Sequence, residues 1–192
     1  MFSNFKSKIG HSKLNKRLKT VTRKKMVYNL VSARKIGLII YLTNENDFNR
    51  ALDFASFLTK LNLSVDILGY FPGKEIPQSY LLRKSINVFC KKDLNWYYKP
   101  MQPFIDEFAA KEFDILIDLS MEEIFPLKWA ATLSRAKFKV GNLSYYGNPN
   151  DLIINIKPSD NLDYLISQIK HYLNLINNRF AQEAISLAEN LN

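Results

Sequence analysis

Two apolar runs of strand length, Ile36-Gly37-Leu38-Ile39-Ile40-Tyr41-Leu42 and Phe113-Asp114-Ile115-Leu116-Ile117-Asp118-Leu119, constrain this sequence more than any other feature. Neither alternates apolar and polar residues over its centre, so each reads as a strand buried on both faces. Such strands belong in a parallel sheet with helices packed above and below it. After the first run, Thr43-Asn44-Glu45-Asn46 makes a polar turn, and Ala51, Leu52, Ala55, Phe57, Leu58 and Leu61 follow at helical spacing. Residues 64–70 form a second strand, closed by Phe71-Pro72-Gly73. A strand–helix–strand unit of this kind implies parallel pairing through a right-handed crossover.

The pattern repeats with variation. Short strands are expected at 86–91, 138–143 and 152–156, and helices at 103–111 and 126–136. Pro126 suits the first turn of its helix, which places Trp129, Leu133 and Ala136 on one face. A last helix is expected over about 161–177, capped by Ser159 or Asp160, with Leu162, Leu165, Ile166, Ile169, Tyr172 and Leu173 toward the core. A chain of 192 residues, 47% of them hydrophobic, closes one substantial core. The expected fold is a single α/β domain over 36–177, a three-layer Rossmann-like sandwich with a mostly parallel sheet. Residues 178–192 remain as a C-terminal tail or short helix.

Charge divides the chain differently. Eleven of the 27 basic residues and none of the 18 acidic ones fall within residues 1–35, leaving 16 basic against 18 acidic in the rest. The body is thus near neutral and the arm strongly cationic. Leu14, Leu18, Val21 and Tyr28 give this arm a narrow apolar stripe, which predicts a basic helix over 12–32 with residues 1–11 frayed. A cation attached to a neutral body points to a polyanion. The expectation is a non-enzymatic, cytoplasmic protein that contacts RNA, in a ribosome-associated setting, through Lys13, Lys16, Arg17, Lys19, Arg23, Lys24, Lys25, Arg34 and Lys35. The alternatives are an anionic membrane surface, for which such a helix has only a thin apolar face, and a protein partner.

Catalytic signals are weak. The chain has six glycines and neither the dinucleotide fingerprint nor the P-loop pattern, so no cofactor is expected. His11, His171 and Cys90 stand apart from one another in sequence, which offers no metal-ligand spacing and no disulfide. No window approaches the roughly 20 apolar residues that span a bilayer. In open parallel sheets ligands sit beyond the carboxyl ends of the strands, where Asn44, Lys92, Trp96, Asp118, Ser120 and Glu122 are the candidates for a ligand crevice. None is assigned a catalytic role: Ser120 lacks the glycines of a nucleophile elbow, and Glu122-Glu123 at a helix start is favoured by the helix dipole alone.

Two resemblances bear on these residues. The segment from Phe113 through Leu119, continuing as Ala130-Ala131-Thr132-Leu133-Ser134-Arg135-Ala136-Lys137-Phe138-Lys139-Val140-Gly141, resembles a strand–helix–strand unit in the first domain of heptosyltransferase-type glycosyltransferases. That likeness implies a degenerate glycosyltransferase-like domain that binds a small ligand without transferring sugar. Over most of 36–176 the chain is similar to an uncharacterised Bacteroidetes family of small α/β proteins, in Lys92-Asp93-Leu94-Asn95-Trp96, Phe125-Pro126-Leu127, Ala136-Lys137-Phe138-Lys139-Val140-Gly141 and His171-Tyr172-Leu173. This second likeness implies no activity.

Overall fold

Six strands, β1 (Lys35–Tyr41), β2 (Ser64–Phe71), β3 (Ile86–Cys90), β4 (Ile115–Asp118), β5 (Phe138–Gly141) and β6 (Leu152–Ile153), pair in the order β3-β2-β1-β4-β5-β6, every pair parallel. The computed structural model describes residues 2–81, 86–142, 147–157, 159 and 161–176. This strand order is that of doubly wound dinucleotide-binding folds, in which the chain reverses direction of growth between β1 and β4. The two apolar runs are the two central strands, and they pair in register with Ile36 beside Ile115 and Leu38 beside Ile117.

Alternation along these strands sends their side chains to opposite layers. Ile36, Leu38 and Ile40 of β1, with Ile115 and Ile117 of β4, join the core beneath α2 (Glu45–Lys60) and α6 (Leu162–Leu175). Ile39 and Leu116 join the opposite core with α4 (Pro103–Ala110) and α5 (Phe125–Leu133). A short helix, α3 (Gln78–Leu81), buries Tyr80 on the first side. The result is the expected three-layer Rossmann-like sandwich.

The elements end where local chemistry stops them. Asn44 caps α2 by accepting from the Asp47 amide at 2.8 Å. Asn161, not Ser159 or Asp160, caps α6 by accepting from the Tyr164 amide at 3.0 Å. Leu162, Leu165, Ile166, Ile169 and Leu173 of α6 are buried, and each contributes about 1.5–3 kcal/mol of transfer free energy. Tyr172, expected among them, is exposed because the α6 stripe passes from Ile169 to Leu173. The expected tail at 178–192 lies outside the described residues.

The N-terminal arm departs most from expectation. Its helix, α1, runs over Phe2–Leu18 and not over 12–32. Two features account for the shift. Gly10 rides against the Tyr97 carbonyl and the Phe125 ring so closely that a β-carbon there would stand 2.7 and 2.8 Å from them. Leu14, one turn on, is buried against Ala109, Trp129 and Leu133. Packing therefore holds the first half of the arm as helix. After Leu18 the Thr20 hydroxyl and amide both return to the Arg17 carbonyl, ending the helix. The following segment crosses the body without regular structure, its Met26 amide donating to the Lys137 carbonyl at 3.1 Å. Leu18, placed on the apolar stripe by spacing, is exposed.

With α1 on one side and the sheet on the other, α5 is buried from Pro126 to Leu133. Trp129 and Leu133 face α1, whereas Ala136 faces the sheet. No helix among the described residues is long and apolar enough to cross a membrane.

Candidate functional site

The switch between β1 and β4 gathers one set of candidates. Asp118 is the last residue of β4 and points to the α4–α5 side, as its spacing from Leu116 requires. It is buried, and burial pushes its carboxyl up, opposed by hydrogen bonding from Ser120. The Ser120 amide donates to Asp118 Oδ1 at 3.0 Å. Ser120 Oγ is itself buried without a well-formed hydrogen bond. At the adjacent end of β1, Tyr41 stacks on Tyr70 with ring centroids 6.0 Å apart. Burial raises the Tyr41 phenol, and so does the charge of exposed Glu122. After β5, Asn142 approaches Met121 Sδ through Nδ2 at 3.8 Å, while its Oδ1 is buried without a partner.

The remaining candidates are placed elsewhere or already engaged. Asn44 sits at the end of β1, but its amide is committed to Asp47 and Thr43 as the α2 cap. Lys92 and Trp96 follow β3, which β2 and β1 separate from β4, about 14 Å away by strand spacing. There Lys92 pairs with Glu75 at 2.9 Å, and exposed Trp96 meets Tyr97 edge-on at 5.1 Å. Asp118, Ser120 and Glu122 thus form one group, and Lys92 with Trp96 a second. Among the described residues no three His, Cys, Asp or Glu side chains are grouped to hold a metal.

The basic candidates divide by partner. Arg17 reaches Asp106 on α4 at 2.9 Å. Arg23 binds Asp151, and Lys25 reaches the same carboxylate at 3.2 Å. Asp151 also accepts from the Lys139 amide at 3.0 Å, so one residue before β6 ties the arm to the sheet. Arg34 turns back to the Val31 and Ala33 carbonyls, and the amides of Arg34 and Lys35 donate to Asp114 at 2.8 and 3.1 Å. Asp114 is opposed by its burial, but bonds from Lys137 and these two amides hold its carboxyl below the ordinary value. Lys13, Lys16, Lys19 and Lys24 are exposed, and none forms an ion pair among the described residues. Lys8 shares this property.

Three groups escaped the sequence reading. Lys139 alternates with Phe138 and Val140 in a strand covered on both faces, so its side chain has to enter a layer. Its Nζ donates to the Ala131 and Thr132 carbonyls near the end of α5, at 2.7 and 3.2 Å. Burial pushes the ammonium down to about 7, with the charges of Arg23 and Lys25 acting the same way and Asp151 opposing. The second group is the pair Lys128–Glu123 at 2.7 Å, whose lysine is buried in α5. Third, His11 packs edge-on against Phe125 at 4.7 Å. Burial and the Lys128 charge lower its pKa, against Glu123. A lysine inside an apolar segment such as Phe125-Pro126-Leu127-Lys128-Trp129 was the signal available for the second group.

Residues 6–176 match a family described as a family of unknown function, DUF6913. No curated protein matches the sequence. A solved structure described as E. coli heptosyltransferase WaaC with ADP is similar, at a TM-score of 0.45 and 10% identity over 75% of this chain and 47% of that one. The chain spans about half the length of that structure.

Proposed function

The chain belongs to this family of unknown function, and from that premise we propose that it is a non-enzymatic binding protein whose docked N-terminal helix engages RNA through phosphate contacts. The supporting observation is the outer face of α1. At 100° per residue, Lys8 and Lys16 of α1 fall on the side opposite Leu14, with Ser12 between them and Lys13 beside Lys16, and Lys19 follows directly after the helix. Leu14 is buried and these residues line an open groove or stand exposed.

Docking gives this face its fixed form. Gly10 and Leu14 hold α1 on α5, and Arg17 is tied to Asp106, so the lysines keep their spacing. From Lys8 to Lys16 the rise is about 12 Å, long enough to meet several phosphates. Phe5, 61% exposed on the same face, offers a ring on which an unpaired base can stack. Contacts of this kind carry affinity with little sequence preference.

The test is binding of a single-stranded RNA, followed by fluorescence anisotropy as salt is raised. The variant Lys8→Ala/Lys13→Ala/Lys16→Ala/Lys19→Ala leaves the docked face intact. It is expected to bind far more weakly, with a log–log salt slope smaller by about 0.7 for each phosphate that is no longer neutralised. Parent binding that ignores salt, or a variant that binds as well as the parent, rejects the reading. Co-sedimentation with ribosomes at low salt, abolished in the same variant, would extend it to a ribosomal partner. Flotation of the protein with anionic vesicles in preference to RNA would replace it by the membrane alternative.

A further inference from the structure

α1 meets the body along two flanks. On one, His11, Asn15 and Leu18 line a cavity together with Glu123 and Lys128, in the seam between α1 and α5. On the other lies the loop from Leu94 to Pro100. Gly10 brings α1 against this loop, since a β-carbon there would stand 2.7 Å from the Tyr97 carbonyl oxygen. Lys99 fastens the loop from within, its Nζ 5.7 Å over the ring of Trp129, which packs with Leu14.

The loop is built to hold one shape. Leu94 and Pro100 pair as an isolated antiparallel bridge, and Asn95 Oδ1 accepts from the Tyr97 and Lys99 amides at 3.1 and 3.0 Å. The Asn95 amide donates to the Lys99 carbonyl at 2.9 Å and the Tyr98 amide to the Asn95 carbonyl at 3.0 Å, with Tyr98 at a φ of 66°. What the fixed loop presents is Trp96, 57% exposed beside Tyr97. A ring already held in place loses little further freedom when a partner covers it.

We propose that Trp96 is a base-stacking platform for RNA whose phosphates α1 engages, so that the RNA is unpaired where it passes from the helix to the loop. The proposal rests on α1 as the phosphate-binding face. Lys6 and Lys13, four residues before Gly10 and three after it, share the side of α1 that meets the loop. Neither forms an ion pair among the described residues. Around the helix Lys13 stands between Lys16 and Gly10, and so continues the cationic outer face toward Trp96. Two carboxylates beside this route are engaged: Asp106 pairs with Arg17, and Asp93 accepts from the Cys90 amide and the Gln102 side chain. Stacking on an indole tolerates any base but needs one that is free of its pairing partner.

Oligoadenylate of about ten nucleotides, added to the full chain, tests this by anisotropy and by tryptophan emission. Trp129, the second of the two tryptophans, is 2% exposed, so quenching on binding reports Trp96. Quenching is expected in the parent and absent in Trp96→Phe. Trp96→Ala should weaken binding about five- to a hundredfold, and Trp96→Phe should recover part of the loss. Neither should alter Tm or the log–log salt slope, because the indole is exposed and carries no charge. The same oligonucleotide annealed to its complement, and inorganic polyphosphate, offer phosphates without an unpaired base and should leave the emission unchanged. A Trp96→Ala chain that binds as tightly as the parent overturns the proposal, as does equal quenching by the duplex or by polyphosphate. If the four-lysine variant still loses binding in that case, α1 remains the RNA face and only the platform falls. A parent that does not bind oligoadenylate at all removes both.

Discussion

The two layers that flank the sheet are built from different materials. Under α2 and α6 the core is a continuous set of Leu, Ile, Val, Ala, Phe and Tyr, and the buried polar residue beside it, Asn29, has its amide bonded to the Ile176 carbonyl and to the Val31 and Ser32 amides. On the α4–α5 side Asp118, Ser120, Lys128, Thr132, Ser134 and Lys139 are buried, and Ser120 Oγ, Trp129 Nε1 and Thr132 Oγ1 are buried without a well-formed hydrogen bond. One layer maximises apolar contact. The other gives up stability to hold polar groups at the strand ends and beneath α1, which is the pattern of a site and not of a scaffold.

The sharpest test of that contrast removes one side chain from each layer. Leu165→Ala on α6 opens a cavity at a fully buried position and should lower the unfolding free energy by about 3–4 kcal/mol at every pH, read by urea denaturation. A much smaller loss would mean that the α2–α6 layer is looser than its composition implies.

Lys139→Met should behave in the opposite way. The folded chain releases the Lys139 proton at about 7, whereas the unfolded chain holds it to 10.5. Between those values the unfolded state binds more protons, so stability rises with pH across the window. The parent should therefore gain on the order of 3 kcal/mol relative to the methionine variant between pH 7 and 10. At pH 7 the variant should be the more stable of the two. Parallel stability curves for the two chains would show that Lys139 stays charged inside the layer.

The same contrast marks how far the sequence could be read. Apolar layers announce themselves by periodicity, so β1, β2, β4, α2 and α6 were legible to within a few residues. Strand order was not, because nothing in Ile36–Leu42 says which neighbour it takes. The arm defeated periodicity for a different reason. Beside the buried Leu14 its docking contacts are a glycine at Gly10, an imidazole edge at His11 and backbone bonding at Met26, and these three leave no apolar stripe. Charge counting gave the arm its sign. It could not show that Arg17, Arg23 and Lys25 meet Asp106 and Asp151, which stand some hundred residues further along the chain. Nor could it pair Lys128 with Glu123 beneath α1, since the cavity exists only once that helix has docked.

The seam itself yields the smallest expected effect and the most local one. His11 packs against Phe125 and lines the same cavity as Lys128 and Glu123, and its pKa is lowered, first by burial and then by the Lys128 charge, with Glu123 opposing. For a histidine held below its unfolded value of 6.5, the unfolded chain binds the proton more readily. Its contribution to stability is then present above that value and lost as pH falls through the folded pKa. Acidification below 6.5 should loosen α1 before it disturbs the sheet, because protonation sets a second cation beside Lys128. Hydrogen exchange localises the change. Amides of α1 around Leu14 should lose protection between pH 7 and 5, those of β1 and β4 should not once the intrinsic exchange rate is corrected, and His11→Gln should remove the difference. Uniform loss across both regions would place the pH sensitivity in the sheet, and would erase the distinction between a polar seam and an apolar scaffold from which it was derived.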